Sequence, residues 1–211
     1  MDVTAYGNPS ADVVLVQPVD DHDLAFVEKE VAAIRERVTA TFLLLAVKVE
    51  NWNRDLSPWE ASAVFGNEDF GDGAERTLAK ILELCADPNK TYYLGGYSLA
   101  GLFALWAACR TDRFKGVAAA SPSAWFPGFS VYLNAHPIKS RVVYLSLGDR
   151  EEKTRNSVMA TVGTRMRELF DILNAQGAVC TLEWNPGNHF RDADLRTANA
   201  FSWVMNTARA D

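Results

Sequence analysis

At 211 residues, 48% hydrophobic and 23% charged, the chain is neither fibrous nor disordered, and one globular domain over residues 1–211 is the expectation. A chain of this length buries on the order of 70% of its unfolded surface, so it needs no disulfide or structural metal. Its 21 Lys and Arg are scattered and outnumbered by 27 Asp and Glu, for a net charge of −6, which argues against a nucleic-acid backbone as partner.

The opening residues, Met1 to Tyr6, lack the basic and apolar regions of a signal peptide. Patterning starts at Val13 to Val16, a short strand. Leu24, Val27, Val31, Ile34 and Val38 follow at helical spacing, and Phe42 to Val49 reads as a second strand. The segment from Gly66 to Gly73 is rich in oxygen ligands but misses the EF-hand spacing, so it reads as a loop leading into a helix. That helix carries Leu78, Ile81, Leu82 and Cys85 on one face. Thr91 to Leu94 is a third strand. Leu99 to Arg110 is an apolar helix, about half of the roughly 20 residues that cross a bilayer, so no membrane partner is expected. Val117 to Ala120 and Val142 to Leu147 are further strands. Val158, Val162, Met166, Leu169 and Leu173 form a helix stripe that Gly177 terminates; Val179 to Trp184 and Leu195 to about Ala208 give the last strand and helix. These six strands are nearly continuous in apolar residues, as when helices cover both faces of a parallel sheet. The fold class is therefore three-layer α/β, with chemistry expected in the loops after the strands' carboxyl ends.

Three cysteines, Cys85, Cys109 and Cys180, are odd in number and show no CxxC spacing. Neither a disulfide framework nor a thiolate metal site is indicated, and a reducing cytoplasm is the expected location. No G-x-G-x-x-G follows a strand and no P-loop is present, so no dinucleotide, nucleotide or other cofactor is expected.

The third strand runs through Gly95-Gly96-Tyr97-Ser98-Leu99-Ala100-Gly101 directly into the apolar helix. A serine on such a strand-to-helix turn needs small neighbours, and the helix N-terminus favours negative charge developing beside it. The segment resembles the nucleophile elbow of the α/β hydrolases, with Ala100 in place of the second glycine of G-x-S-x-G and Gly101 restoring a small residue one step later. A base is required, and of the three histidines only His189, in Pro186-Gly187-Asn188-His189-Phe190, stands directly after the last strand. His22 and His136 read as surface histidines. The acid belongs after the strand Val142 to Leu147, in Gly148-Asp149-Arg150-Glu151-Glu152-Lys153. The G-x-x-D/E pattern of similar hydrolases selects Glu151, with Asp149 the close competitor and Glu152 a distant one. For the oxyanion, the donors expected are the amides of Leu99 and of Val19 in Gln17-Pro18-Val19-Asp20, with Asp20 the alternative because Pro18 has no N–H.

Aromatic residues gather in these loops: Trp52 and Trp59 after the second strand, then Trp125, Phe126 and Phe129, and Trp184. Trp52, Trp125 and Tyr97 are the candidate substrate contacts, set against the alternative that the rings cap the core. Ser121 and Ser123, flanking Pro122, read as a turn and not as a second nucleophile.

Over nearly its whole length the chain resembles a compact member of the α/β-hydrolase esterase group that includes esterase D, S-formylglutathione hydrolases and siderophore esterases. The turn Ala120-Ser121-Pro122-Ser123-Ala124-Trp125 is similar to the S-P-S-x-W turn of the siderophore esterases, and Asp55-Leu56-Ser57-Pro58-Trp59 is a further likeness. The resemblance implies a serine hydrolase acting on carboxylic or thiol esters of a small molecule through Ser98, His189 and Glu151. The usual fold of that group has eight strands; against the six counted here, the two antiparallel strands that begin it are expected to be missing, and the length leaves no room for a large lid. The same triad serves peptidases, thioesterases and acyltransferases, and the fold also allows a non-catalytic binding module. The acidic loop after the first strand disfavours a strongly anionic substrate, and the small size implies an open cleft. The sequence leaves the oligomeric state open.

Overall fold

The computed structural model describes residues 1–208; the last three residues of the expected domain lie outside the described part. Seven strands form one sheet: β1 (Asp2–Gly7), β2 (Val13–Val19), β3 (Phe42–Lys48), β4 (Thr91–Tyr97), β5 (Phe114–Ala120), β6 (Val142–Gly148) and β7 (Val179–Asn185), in the order β1-β3-β2-β4-β5-β6-β7. All neighbouring pairs are parallel except β1 with β3.

β1 corrects the expectation of six strands, since one of the two antiparallel strands thought missing is present. It is an edge strand paired on one side only, from Asp2 opposite Lys48 to Gly7 opposite Leu43, and every residue but Tyr6 is exposed. Such a strand carries no apolar run, which is the signal by which the other six announce themselves.

The helices are α1 (Asp21–Leu24), α2 (Val27–Arg37), α3 (Trp52–Leu56), α4 (Ala74–Leu84), α5 (Leu99–Arg110), α6 (Phe129–Ala135), α7 (Val162–Ala175) and α8 (Ala193–Thr207). One face of the sheet is covered by α2 and α8, whose Val27, Val31, Ile34, Phe201 and Val204 pack on Leu15, Leu44, Tyr93 and Tyr144. The other face is covered by α4, α5 and α7 over Val16, Leu94, Val117 and Leu145. Leu99–Cys109 of α5 is buried on all sides, which explains an apolar run without amphipathic spacing. Gly177, at φ +82°, ends the α7 segment as expected, whereas Val158 falls before a 3₁₀ turn (Met159–Thr161) and is exposed instead of opening the helix. Among the described residues no helix is long and apolar enough to cross a membrane.

The strand order fixes where a site can form. From β2 the chain steps to β3 on one side, and then returns past β2 to β4 on the other. The crevice outside the carboxyl ends of β2 and β4 is thus a topological switch point, where open α/β sheets bind their ligands. Ser98 follows β4 directly, and Val19 ends β2 with Asp20 alone between it and α1.

Candidate active site

Ser98 sits between β4 and α5 with φ 55° and ψ −120°, a conformation that a residue bearing a Cβ adopts only where its surroundings impose it. Those surroundings are visible: the Ser98 amide donates to Ala120 O at 3.1 Å, and its carbonyl accepts from Leu102 and Ser123, both at 3.1 Å. The turn tolerates no bulk. A Cβ on Gly96 would lie 2.6 Å from the Ala100 methyl, so Ala100 fits where the common pattern has glycine because Gly96 carries nothing to meet it.

The turn presents Ser98 Oγ 3.0 Å from His189 Nε2, and His189 Nδ1 is 2.7 Å from Glu151 Oε2. Three residues from the ends of three strands, far apart in sequence, therefore form one continuous hydrogen-bonded chain. Of the carboxylates considered, Glu151 is the one at the imidazole. Asp149 accepts the Gly187 amide at 2.7 Å and so braces the loop that carries His189. Glu152 is paired with Arg167 at 3.8 Å on the surface.

Glu151 is held from several sides. Its Oε1 accepts the Gly148 amide at 2.7 Å, the Ser121 hydroxyl at 2.9 Å and Arg196 Nη1 at 2.9 Å. Burial by itself would raise the carboxyl's pKa, but the hydrogen bond and charge of His189, with the donors Gly148 and Ser121, outweigh it and hold Glu151 below the usual carboxylate range. Its ionised form is therefore favoured, and it can partner a protonated His189. Gly148 leaves room for this packing, since a Cβ there would lie 2.9 Å from Glu151 Oε1 and 3.0 Å from Arg196 Nη1.

Arg196, on α8 and only 2% exposed, was not identified in the sequence. Besides Glu151, its Nη1 contacts Tyr97 Oη at 3.1 Å and Ser121 Oγ at 3.3 Å, while Nη2 donates to the carbonyls of Pro186 and Asn188 at 3.2 and 3.1 Å. A signal existed: Arg196 lies four residues before Ala200 and eight before Val204, both buried, and a cation on a buried stripe needs a partner. Tyr97 completes the frame by donating from Oη to His189 O at 2.8 Å, and burial pushes its phenol up to about 12. Ser121 stands at φ 41° with its hydroxyl on Glu151, and Ser123 Oγ is 3.3 Å from Ser98 Oγ, so the expected turn is also part of the site's wall.

The remaining candidates are more spread out. Leu99 opens α5, where the first amides have no helical acceptor. Val19 is the last residue of β2; it pairs with Lys48 and its carbonyl accepts from Val49 at 3.0 Å. Asp20 caps α1, its carboxylate accepting the Asp23 amide at 2.8 Å. Trp125 is 8% exposed and held edge to face by Phe65, with Phe70 at its side, while Trp52 lines a separate cleft with Asp20 and Asp21. Neither tryptophan is a direct partner of Ser98 or His189; the aromatic neighbours of His189 are Tyr97 at 5.0 Å and Phe190 at 5.6 Å.

No protein-family model matches the chain, and no curated protein sequence does. Solved structures do. The siderophore hydrolase EstA from Aspergillus nidulans superposes with a TM-score of 0.69 at 18% identity, over 99% of this chain and 95% of that one. An IroE-like serine hydrolase from Shewanella oneidensis gives 0.75 at 15% identity, over 95% of this chain and 74% of that one. This is an α/β-hydrolase fold. The enterobactin esterase FES from Shigella flexneri gives 0.67 at 14% identity over 97% of this chain, which spans 55% of that one. At these identities the likeness is one of fold, shared with structures of serine esterases.

Proposed function

We propose that the chain is a serine hydrolase that cleaves carboxylic or thiol esters of small molecules through an acyl-enzyme on Ser98. The observation that carries this reading is the unbroken chain from Ser98 Oγ through His189 to Glu151 at 3.0 and 2.7 Å, starting at a serine held in a left-handed turn. In the first step His189 Nε2 takes the Ser98 proton as Oγ attacks the ester carbonyl carbon. Ionised Glu151 stabilises the imidazolium and fixes which ring nitrogen faces the serine. The resulting oxyanion is received by the Leu99 amide and by an amide at the carboxyl end of β2, that of Val19 or Asp20. Collapse of the tetrahedral species breaks the bond to the alcohol or thiol, which leaves with the proton from His189. A water activated by the same imidazole then releases the acid and restores Ser98.

The solved structures of like fold are named for siderophore and enterobactin ester hydrolysis. That supports the ester class; the substrate must be sought in this chain's own cleft. The test is intact mass after treatment with a fluorophosphonate, beside Ser98→Ala. A single adduct that disappears in the variant supports the reading. A folded protein that takes no adduct, or keeps it in Ser98→Ala, overturns it.

A further inference from the structure

Next to the triad lies a cleft of about 320 Å³ between α1, α2 and the start of α8, walled on the site side by Tyr97 and Phe190, the neighbours in sequence of Ser98 and His189. Its floor is polar and shut off from solvent. Gln17, on β2, and Glu30, on α2, are each 3% exposed, and the amide of Gln17 donates to Glu30 Oε2 at 3.2 Å. The other oxygen of each, Gln17 Oε1 and Glu30 Oε1, has no hydrogen-bond partner among the described residues. Buried polar atoms are paired in the great majority of cases, and two unpartnered oxygens on neighbouring side chains ask for a polar ligand that satisfies them.

The charged side chains round the cleft are mostly acidic. Asp23 faces it from α1, Glu30 from α2, and Asp192 and Asp194 from the start of α8. The cations against them are few: Lys29 is committed to Asp194 at 2.7 Å and Arg191 to Asp192 at 3.2 Å, which leaves Asp23 and Glu30 without an ion-pair partner among the described residues, with His22 and Tyr97 the other titratable groups of the lining. Two aromatic rings stand at the rim, Phe26 and the 89% exposed Phe190, with Tyr97 deeper. Acceptors at the floor, uncompensated carboxylates and aromatic faces form the combination that holds an organic cation.

We infer that this cleft is a subsite for a primary ammonium or guanidinium group, which places the substrates of the proposed hydrolase among esters that carry a cationic group. The reading of the chain as a hydrolase is what makes the ligand a substrate; the cleft's preference for a cation does not depend on it. One consequence follows from Glu30. Burial holds its carboxyl up to about 8, and Asp23, raised by burial to about 6, and Asp194 add to the effect through their charge. A cation seated on Glu30 stabilises its ionised form, so binding at pH 7 releases a proton from the protein.

Two experiments test this, and they fail separately. Calorimetric titration of the full chain with butylguanidinium chloride at pH 7, in buffers of differing ionisation enthalpy, should show one saturable site with net proton release. In Glu30→Gln the affinity should fall at least about tenfold and the proton release vanish. Ser98→Ala should bind as the parent does, because the site needs no nucleophile. No saturable binding, binding without proton release, or equal binding by Glu30→Gln would overturn the inference. For hydrolysis, 4-nitrophenyl 6-aminohexanoate should have a kcat/KM at least about tenfold above 4-nitrophenyl hexanoate, and Glu30→Gln should abolish that ratio. Hydrolysis of both esters at equal rates retains the hydrolase and removes the cationic subsite. Binding of butylguanidinium by a protein that cleaves neither ester and takes no fluorophosphonate retains the subsite and removes the hydrolase.

Discussion

Replacing Glu151 by glutamine changes one atom and should cost nearly all of the activity. The amide can still accept from Gly148, Ser121 and Arg196 through the oxygen that takes the place of Oε1, because those three donors lie on one side of the carboxylate. Its NH₂ then points at His189 Nδ1, where Oε2 now stands at 2.7 Å. An N–H donor there forces the imidazole into the tautomer with its proton on Nε2, facing Ser98 Oγ at 3.0 Å, where a base needs a lone pair. The loss should be about 10⁴-fold in kcat, or roughly 5 kcal/mol of transition-state stabilisation, with KM little changed. Asp149→Asn is the control: it weakens one bond to the Gly187 amide and should cost less than about tenfold. Initial rates with 4-nitrophenyl acetate, and the rate of fluorophosphonate labelling, read both. Equal losses in the two variants, or a larger loss in Asp149→Asn, would refute the assignment of the acid.

Arg196→Met should leave the Glu151 carboxylate buried without its cation and cost about 3–5 kcal/mol in urea unfolding, while kcat falls with KM held; Arg196→Lys should recover little, since an ammonium cannot reach five acceptors on two sides. Glu30 should make the fold less stable as pH rises. Its folded pKa of about 8 lies above the unfolded 4.5, so its contribution is complete below 4.5 and is lost by degrees up to 8. Glu30→Gln should therefore melt at nearly the parent's temperature at pH 5 and several degrees above it at pH 9, and scans in matched buffers that show a constant gap would contradict this.

The parts of the fold legible in the sequence are those that burial imposes on both faces of an element. Strands such as Val142–Gly148, buried at every residue, leave an apolar run that admits one reading. β1 left none because it is exposed along nearly its whole length. The strand signal of β4 stops at Leu94 because Gly95 and Gly96 carry little strand propensity; they and Tyr97 are in the sheet through pairing with Ala118, Ala119 and Ala120. Ser98, His189 and Glu151 were legible for another reason: each follows a strand end, and the order of serine, acid and histidine along the chain restricts which loop can supply which group. Arg196, Ser121 and Asp149 have no such order. They act on the acid or on the histidine loop, and a sequence does not say which loops touch. The tryptophans show the limit from the other side, since Trp125 in a site loop turned out to spend its faces on Phe65 and Phe70.

The buried polar groups at the carboxyl edge of the sheet divide into two sets that obey opposite rules. Around Glu151 every oxygen is taken: Oε1 has three donors and Oε2 faces His189, so the carboxylate is charged, fixed and poised toward one ring nitrogen. Arg196 makes that possible by tying the acid, Tyr97 and the carbonyls of Pro186 and Asn188 to one rigid plane, so that the loop bearing His189 and the loop bearing its acid cannot move independently. A charged pair buried this deeply gains little stability over apolar residues of the same volume, and its retention makes sense as positioning. Around Glu30, on the far side of Tyr97, the reverse holds: two buried oxygens have no partner among the described residues and the carboxyl is pushed toward its neutral form. A fold that satisfies Glu151 so fully has the means to satisfy Glu30 as well. That it leaves Glu30 and Gln17 open, beside the strand that leads to Ser98, is the physical reason to assign the missing partners to a ligand.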